Sequence, residues 1–214
     1  MKYKYIIGID EAGRGPLAGP VAVGAVLVPA DAPQGLTVPR SHLSRRYRSS
    51  SRNDLMTFSR VKDSKKLTEI QREKIFEKIK ENKNIRYIVC FASARQIDKL
   101  GIVKAIGNAL KKALAKLDAN PNKCKILLDG TLKAPVKYKN KKTIIKGDEK
   151  EFVISLASIA AKVERDKKMQ NFSKKYPKYN FEKHKGYGTK EHYRKIKKHG
   201  ICDIHRKTFV KVRP

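Results

Sequence analysis

The sequence lacks any apolar run that approaches the roughly 20 residues needed to cross a bilayer. Its first residues, Met1-Lys-Tyr-Lys, lead directly into a strand-like segment and not into a signal peptide. We therefore expect a cytoplasmic protein that does not span a membrane.

Cysteine is scarce, and its spacing excludes two further classes of protein. Cys90, Cys124 and Cys202 are odd in number, far apart and without a CxxC pair, which argues against a disulfide framework and against a zinc site. No serine or cysteine is accompanied by a histidine in a way that indicates a covalent nucleophile. Covalent catalysis is thus not expected.

Acidic residues are few, because 20 Asp+Glu face 51 Lys+Arg for a formal net charge of +31. Such an excess attracts polyanions, so nucleic acid is the leading candidate partner and an anionic membrane surface a weaker one. The length of 214 residues and the 40% hydrophobic content are sufficient for one main core. We expect a single main domain over 1–214, with a small helical extension from about 177.

The few acids recur where apolar segments end. A predicted strand at 3–9 leads into Asp10 and Glu11, a second at 125–128 into Asp129, and a third at 143–145 is followed by Asp148. If these strands are neighbours in one sheet, their carboxylates lie within a few ångströms of one another. Such a cluster is costly unless cations neutralise it, and carboxylates favour hard divalent ions. The pattern predicts a Mg²⁺ or Mn²⁺ site.

A glycine-flanked arginine, Gly13-Arg14-Gly15, follows the first acids. Glycine lets the backbone approach a ligand more closely than a residue with a Cβ. The strands predicted at 3–9 and 21–28 form a hairpin around this loop. The loop is therefore a candidate phosphate-binding element.

The remaining chain predicts alternating helices and one more strand. Thr68 and Gln71 fit a capping box that opens a helix through about residue 80, which places Ser64 and Lys65 in the preceding turn. A strand at 85–93 precedes helices at 97–117 and 152–176. The serine- and arginine-rich stretch at 34–60 is interpreted as a flexible basic insert, either a solvated linker or an auxiliary phosphate contact.

Two residues leave alternatives open. Tyr187, between two glycines, is either a stacking platform for a sugar or base or a tyrosine that packs a turn. Asp166 is either a fifth acid at the site or one partner of an ion pair with a neighbouring lysine or Arg165 on the helix surface.

Together the motifs closely resemble ribonuclease HII, the bacterial type 2 ribonuclease H family. The motifs, in family order, are IDEAGRGPLAGPV, DSKKLT, LLDG, IKGDEK, SLASIAAKVERD and HKGYGTKEHY, followed by CDIHRKTF. The resemblance covers essentially the whole chain except the basic insert. It implies a ribonuclease H-like α/β fold with a mixed central sheet flanked by helices.

The resemblance also implies an activity. Such enzymes hydrolyse the RNA strand of RNA/DNA hybrids and incise 5′ of single ribonucleotides embedded in duplex DNA, leaving 3′-hydroxyl and 5′-phosphate ends. Two divalent ions, Mg²⁺ or Mn²⁺, would activate water without a covalent nucleophile. A monomer is expected, and no sliding-clamp motif is evident.

Residue roles follow from the same motifs. The implied metal-binding and catalytic carboxylates are Asp10, Glu11, Asp129 and Asp148. The implied substrate-binding residues are Gly13, Arg14 and Gly15 at the ribose 2′-hydroxyl, Tyr187 at the following sugar, and Ser64, Lys65 and Arg165 at backbone phosphates. The alternatives are a different ribonuclease H-like nuclease, which should lack the two glycine-flanked motifs, and a non-catalytic nucleic-acid-binding protein, which should lack an acid.

Overall fold

A computed structural model describes residues 3–31 and 67–210 of the chain. At its centre lies a five-stranded sheet in the order β3-β2-β1-β4-β5. The strands are β1 (Tyr5–Ala12), β2 (Val21–Pro29), β3 (Arg86–Ala92), β4 (Cys124–Asp129) and β5 (Lys141–Ile144). The sheet is mixed: β1 pairs antiparallel with β2 and β2 with β3, whereas β1-β4 and β4-β5 are parallel. This confirms the predicted hairpin and mixed sheet.

Helices cover both faces of the sheet. They are α1 (Glu69–Glu81), α2 (Ala94–Leu100), α3 (Ile102–Leu117), α4 (Gly147–Lys150), α5 (Phe152–Lys175), α6 (Phe181–His184) and α7 (Lys190–His199). The predicted capping box is present at α1, where the Thr68 and Gln71 side chains each accept the other's backbone N–H. No helix within the described ranges is long and apolar enough to cross a membrane.

Alternation along β1 assigns its side chains to two cores. Ile7 and Ile9 are fully buried against the face that α3 covers. The opposite face packs against α1 and α5 through a second buried cluster. Because successive residues of a strand point to opposite faces, Asp10 shares the α5 side with Gly8.

Two glycines let α5 approach the sheet closely. A Cβ on Gly8 would lie 2.2 Å from the carbonyl oxygen of Val153, and one on Gly24 would lie 2.3 Å from that of Ala157. Larger residues would push the helix away from the strands. The contact brings the middle of α5 next to the end of β1, where the first acids lie.

Three predicted boundaries were wrong. β1 extends to Ala12, so Asp10 and Glu11 lie inside the strand and not beyond it. The helix predicted at 97–117 is two helices, because Gly101 takes a φ of 76° and ends α2 before α3 begins. The third acid does not end a strand, since β5 stops at Ile144 and Asp148 lies in the short helix α4.

The C-terminal part packs across the loop between β1 and β2. A short 3₁₀ helix (Pro177–Tyr179), α6 and α7 form it, and Tyr179 and Phe181 bury their rings against Ala18 and Met169. Ala18 forms an isolated antiparallel bridge with His205. The predicted basic insert at 34–60 lies outside the described residues.

Candidate active site at the ends of three strands

Asp10 is a buried carboxylate at the C-terminal end of β1. Its exposed fraction is only 4%, and burial raises its pKa from 3.8 to about 8. The neighbouring charges of Glu11 and Asp129 raise that pKa further, while a hydrogen bond from Ser158 on α5 opposes the rise. The strand thus holds a carboxylate in a setting that disfavours its charge.

Glu11 is the second carboxylate of this strand. Burial raises its pKa, which the hydrogen bond from Arg14 partly offsets, and Asp129 raises it further. Arg14 Nη1 donates to Glu11 Oε1 over 3.2 Å, but the buried Oε2 has no hydrogen-bond partner within residues 3–31 and 67–210. A buried carboxylate oxygen without a partner is costly and is suited to a cation.

Asp129 and Asp148 are brought together by the backbone between β5 and α4. Lys146 adopts a left-handed conformation with φ 54°, and the N–H of Gly147 donates to Asp129 Oδ1 over 2.6 Å. Asp148, the next residue, is fully buried. Both acids are therefore positioned by one turn, although only Asp129 terminates a strand.

The donor set fits a hard divalent cation, although it is not a closed cage. Asp10, Glu11 and Asp129 influence one another electrostatically, and Glu11 keeps an unpartnered oxygen. Within 3–31 and 67–210, no three His, Cys, Asp or Glu side chains already lie close enough together to hold one ion. Carboxylate oxygens are nevertheless the ligands that hard divalent cations prefer.

Asp166 forms an ion pair with a neighbouring lysine, which is the second of the two alternatives predicted for it. Lys162 Nζ on the preceding turn of α5 lies 2.9 Å from its carboxylate. Asp166 is only 5% exposed, so the pair is partly buried and not on the open surface as expected.

The Gly13-Arg14-Gly15 loop leaves β1 beside these acids. Gly13 has a φ of 88°, and a Cβ there would lie 1.9 Å from Arg165 Nε, so only glycine fits. The Arg14 side chain is 46% exposed. Arg165, predicted as a phosphate ligand, is fully buried beneath the loop and donates to the carbonyl oxygens of Pro20 and Lys185.

Tyr187 lies on the neighbouring loop and is 45% exposed. Its N–H donates to the carbonyl of His184, and its own carbonyl lies 2.9 Å from His192 Nδ1. The guanidinium carbon of Arg165 lies 5.9 Å from the centre of its ring. An exposed aromatic ring on a firmly held backbone is available to stack on a ligand. The other predicted phosphate ligands, Ser64 and Lys65, lie outside the described residues.

Sequence reasoning did not single out Arg206, which also underlies the Gly13-Arg14-Gly15 loop. It is fully buried and donates to the carbonyl oxygens of Gly13, Arg14 and Gly19. The sequence offers only a basic residue in the CDIHRKTF motif, with no sign that backbone carbonyls are its partners.

Known proteins resemble this chain in sequence and in fold. A sequence model of the family described as Ribonuclease HII matches residues 46–213. The ribonuclease HII of Endomicrobium trichonymphae is 43% identical over 204 residues, covering 95% of this chain and 84% of that protein. The ribonuclease H2 of Pyrococcus horikoshii OT3 superimposes with a TM-score of 0.67 at 25% identity, covering 95% of this chain and 93% of that chain.

A more distant structure shares the fold alone. Bst-RNase HIII in complex with Mn²⁺ superimposes with a TM-score of 0.60 at 19% identity, covering 94% of this chain and 64% of that chain. With the P. horikoshii enzyme, it confirms the predicted ribonuclease H-like arrangement of sheet and helices. The chain belongs to the ribonuclease HII family and is a ribonuclease H endonuclease.

Proposed function

We propose that this protein hydrolyses the RNA strand of RNA/DNA hybrids and incises 5′ of single ribonucleotides in duplex DNA, leaving 3′-hydroxyl and 5′-phosphate ends. One observation carries the proposal. Buried carboxylates with raised pKa values, led by Asp10, lie directly beside a glycine-flanked loop that exposes Arg14. Hydrolytic chemistry and recognition of the sugar-phosphate backbone are thus joined within six residues, 10–15.

The cofactor is Mg²⁺ or Mn²⁺, with two ions during catalysis. Asp10, Glu11, Asp129 and Asp148 would hold them, and the unpartnered Oε2 of Glu11 supports this assignment. When bound, divalent cations lower the pKa of water and stabilise the leaving 3′ oxygen. Bst-RNase HIII was solved in complex with Mn²⁺, a hard cation that prefers oxygen ligands.

Selectivity for RNA is assigned to two loops. The Gly13-Arg14-Gly15 loop meets the 2′-hydroxyl and the adjacent phosphate, because that hydroxyl is the one feature that distinguishes a ribonucleotide at any sequence. Tyr187 stacks on the following sugar. Ser64 and Lys65 contact backbone phosphates, whereas the fully buried Arg165 binds the carbonyl oxygens of Pro20 and Lys185.

Binding to the duplex is mainly electrostatic. A net charge of +31 provides a field that attracts nucleic acid without reading its sequence. Affinity should therefore fall steeply as salt is raised, because binding releases cations from the phosphates and added salt opposes that release. We place the protein in the cytoplasm as a monomer that acts in ribonucleotide excision during DNA replication and repair.

The test uses two labelled duplexes of the same sequence, one with a single ribonucleotide and one all DNA. The protein and Asp10→Asn are incubated with each duplex in Mg²⁺ or Mn²⁺. We expect metal-dependent cutting 5′ of the ribonucleotide by the wild type alone. Binding without cutting would support a non-catalytic nucleic-acid-binding protein, and equal cutting of both duplexes would support a different ribonuclease H-like nuclease.

A further inference from the structure

Two arginines, Arg165 and Arg206, are buried side by side beneath the loop between β1 and β2. Each has a fully buried side chain, and the positive charge of Arg165 contributes to lowering the pKa of Arg206, which burial chiefly reduces to about 9. Neither arginine takes part in any ion pair between the described residues. A buried charge without a directly paired carboxylate is costly, so other groups must stabilise these two arginines.

Backbone carbonyl oxygens replace the missing carboxylates. Arg206 donates to Gly19 over 3.0 Å, to Arg14 over 2.8 Å and to Gly13 over 2.6 Å. Arg165 donates to the carbonyls of Pro20, Ala18 and Lys185 over 3.0, 3.4 and 2.9 Å. Every acceptor belongs to the loop that follows β1 or to the turn that precedes Tyr187.

The direction of these bonds determines where the loop amides point. In a trans peptide the C=O and the following N–H point in opposite directions, and no peptide bond described here is cis. Because Arg206 holds the carbonyls of Gly13 and Arg14 inward, the N–H groups of Arg14 and Gly15 point outward. Two outward amides in succession form a concave site for an anionic or hydroxyl oxygen.

The segment that carries Arg206 is itself firmly held. The N–H of Arg206 donates to the carbonyl of Leu17 over 2.8 Å. The next two N–H groups, of Lys207 and Thr208, donate to the carboxylate of Asp98 over 2.9 and 3.0 Å. Burial acts to raise the pKa of Asp98, but the bonds from Thr208 and Lys207 outweigh it and lower that pKa.

We propose that Arg206 is a positioning residue that holds the amides of Arg14 and Gly15 toward the ribonucleotide, with Arg165 joining the same loop to the Tyr187 turn. This inference rests on the proposed function. It extends that function by assigning 2′-hydroxyl and phosphate selectivity to the shape of the backbone and by removing Arg165 from direct contact with phosphate.

The test compares Arg206→Lys with Arg95→Lys, an exposed arginine at the start of α2. Lysine keeps the positive charge, but its single ammonium group cannot replace the planar guanidinium that donates to three carbonyl oxygens at once. We expect Arg206→Lys to lower the single-turnover rate at saturating enzyme about 100-fold on the single-ribonucleotide duplex, since a loop displaced by about 1 Å costs that much. Its Kd for the all-DNA duplex should change less than twofold, and Arg95→Lys should resemble the wild type.

A second variant, Arg206→Ala, tests the same role without placing a new charged side chain beneath the loop. Arg206→Ala leaves a space that free guanidinium can fill. Added guanidinium should restore the single-turnover rate to at least a tenth of the wild-type rate. Ammonium, which has the same charge, should not. The amide resonances of Arg14 and Gly15 should shift in both variants and return with guanidinium. If the variants misfold, which circular dichroism would reveal, the resonances of Arg14 and Gly15 in Arg206→Lys at lower temperature decide the question.

The outcomes separate the two proposals. If the wild type does not cut at the ribonucleotide, the proposed function fails. If the wild type cuts and Arg206→Lys keeps its rate within twofold with unshifted Arg14 and Gly15 resonances, the positioning role is overturned. Equal losses of rate and all-DNA affinity would also overturn it, because they would make Arg206 a direct phosphate ligand.

Discussion

The carboxylates and the arginines of this molecule bury charge in opposite ways. At the end of β1, burial raises the pKa of Asp10 to about 8, and Glu11 Oε2 has no hydrogen-bond partner in the part of the chain that the structure describes. Beneath the loop that follows β1, all three nitrogens of the Arg206 guanidinium donate to carbonyl oxygens. Arg165 is similar except for its Nη1, which has no partner among the described residues.

The difference distinguishes a group that binds a ligand from a group that holds the protein together. Groups whose hydrogen bonds are complete resist movement and gain little from a ligand. Groups left incomplete destabilise the fold until an ion or substrate binds. On the proposed function, the carboxylates supply the chemistry and the arginines hold the loop beside it.

The strongest test of this comparison is removal of one carboxylate charge. Asp10→Asn should reduce cleavage of a single-ribonucleotide duplex by more than about 100-fold, because loss of a residue that only supports a metal ligand already costs about 10–100-fold. Initial rates in saturating Mg²⁺ measure the effect. A loss below tenfold would mean that Asp10 is not at the reaction centre.

A second test acts on the arginine region through its packing. Gly13→Ala should destabilise the protein by about 1–2 kcal/mol from the left-handed backbone alone, and more from the Cβ that would lie 1.9 Å from Arg165 Nε. Gly15→Ala is the matched control, since its Cβ would meet nothing within 4 Å. Urea denaturation compares the stability of the two variants. Equal losses of stability would show that the Arg165 side chain moves aside at little cost.

A third test measures how much the buried carboxylate of Asp10 lowers the stability of the metal-free protein. The pKa of Asp10 is raised from 3.8 to about 8, so the folded state retains a proton that the unfolded state releases. Wild-type stability in EDTA should therefore fall relative to Asp10→Asn as pH rises from about 4 to about 8, and the difference should then level off. Thermal unfolding of both proteins across this range provides the measurement. A constant difference would contradict the burial argument.

A fourth and smaller effect concerns buried groups that stay neutral. Burial lowers the pKa of His192 from 6.5 to about 4; its ring stacks on His184 at 4.3 Å, and its Nε2 lies 3.1 Å from His205 Nε2. Stability should be lost as pH falls from about 6.5 toward 4, because the unfolded chain takes up the proton first.

The loss should be local to the Tyr187 loop, whose carbonyl contacts His192 Nδ1. Hydrogen exchange at 184–192, corrected for the intrinsic pH dependence, should accelerate at pH 5 relative to pH 7, with α3 as internal reference. His192→Gln should weaken this response. Acceleration in α3 to the same extent would indicate global and not local opening.

Much of the fold was predictable because local signals are strong in this chain. The capping box at Thr68 fixes the start of α1, and continuous apolar runs identify β1 and β2, the second of them bounded by Pro20 and Pro29. The approach of Asp10 and Asp129 followed from placing their strands side by side, which the parallel β1-β4 pairing confirms. Gly101 was missed as a helix boundary because the apolar spacing continues through it.

The site was less predictable where backbone atoms position the side chains. Asp148 depends on the left-handed Lys146 and on an amide bonded to Asp129, and neither has a clear sequence signature. Arg206 contacts carbonyls, which every residue has, so nothing in its motif identifies Gly13 as a partner. The roles of individual site residues came from family resemblance, and they stay predictions until tested.

The bond between Arg206 and Gly13 also has a consequence for biosynthesis. These residues are separated by 193 positions, so the substrate loop is synthesised long before the arginine that holds it. Contacts of such separation form late in folding, after the sheet has brought distant segments together. On the ribosome, the carboxylates would be assembled while the loop is still unrestrained. On the proposed function, selectivity for ribonucleotides would therefore be acquired after the carboxylates are assembled.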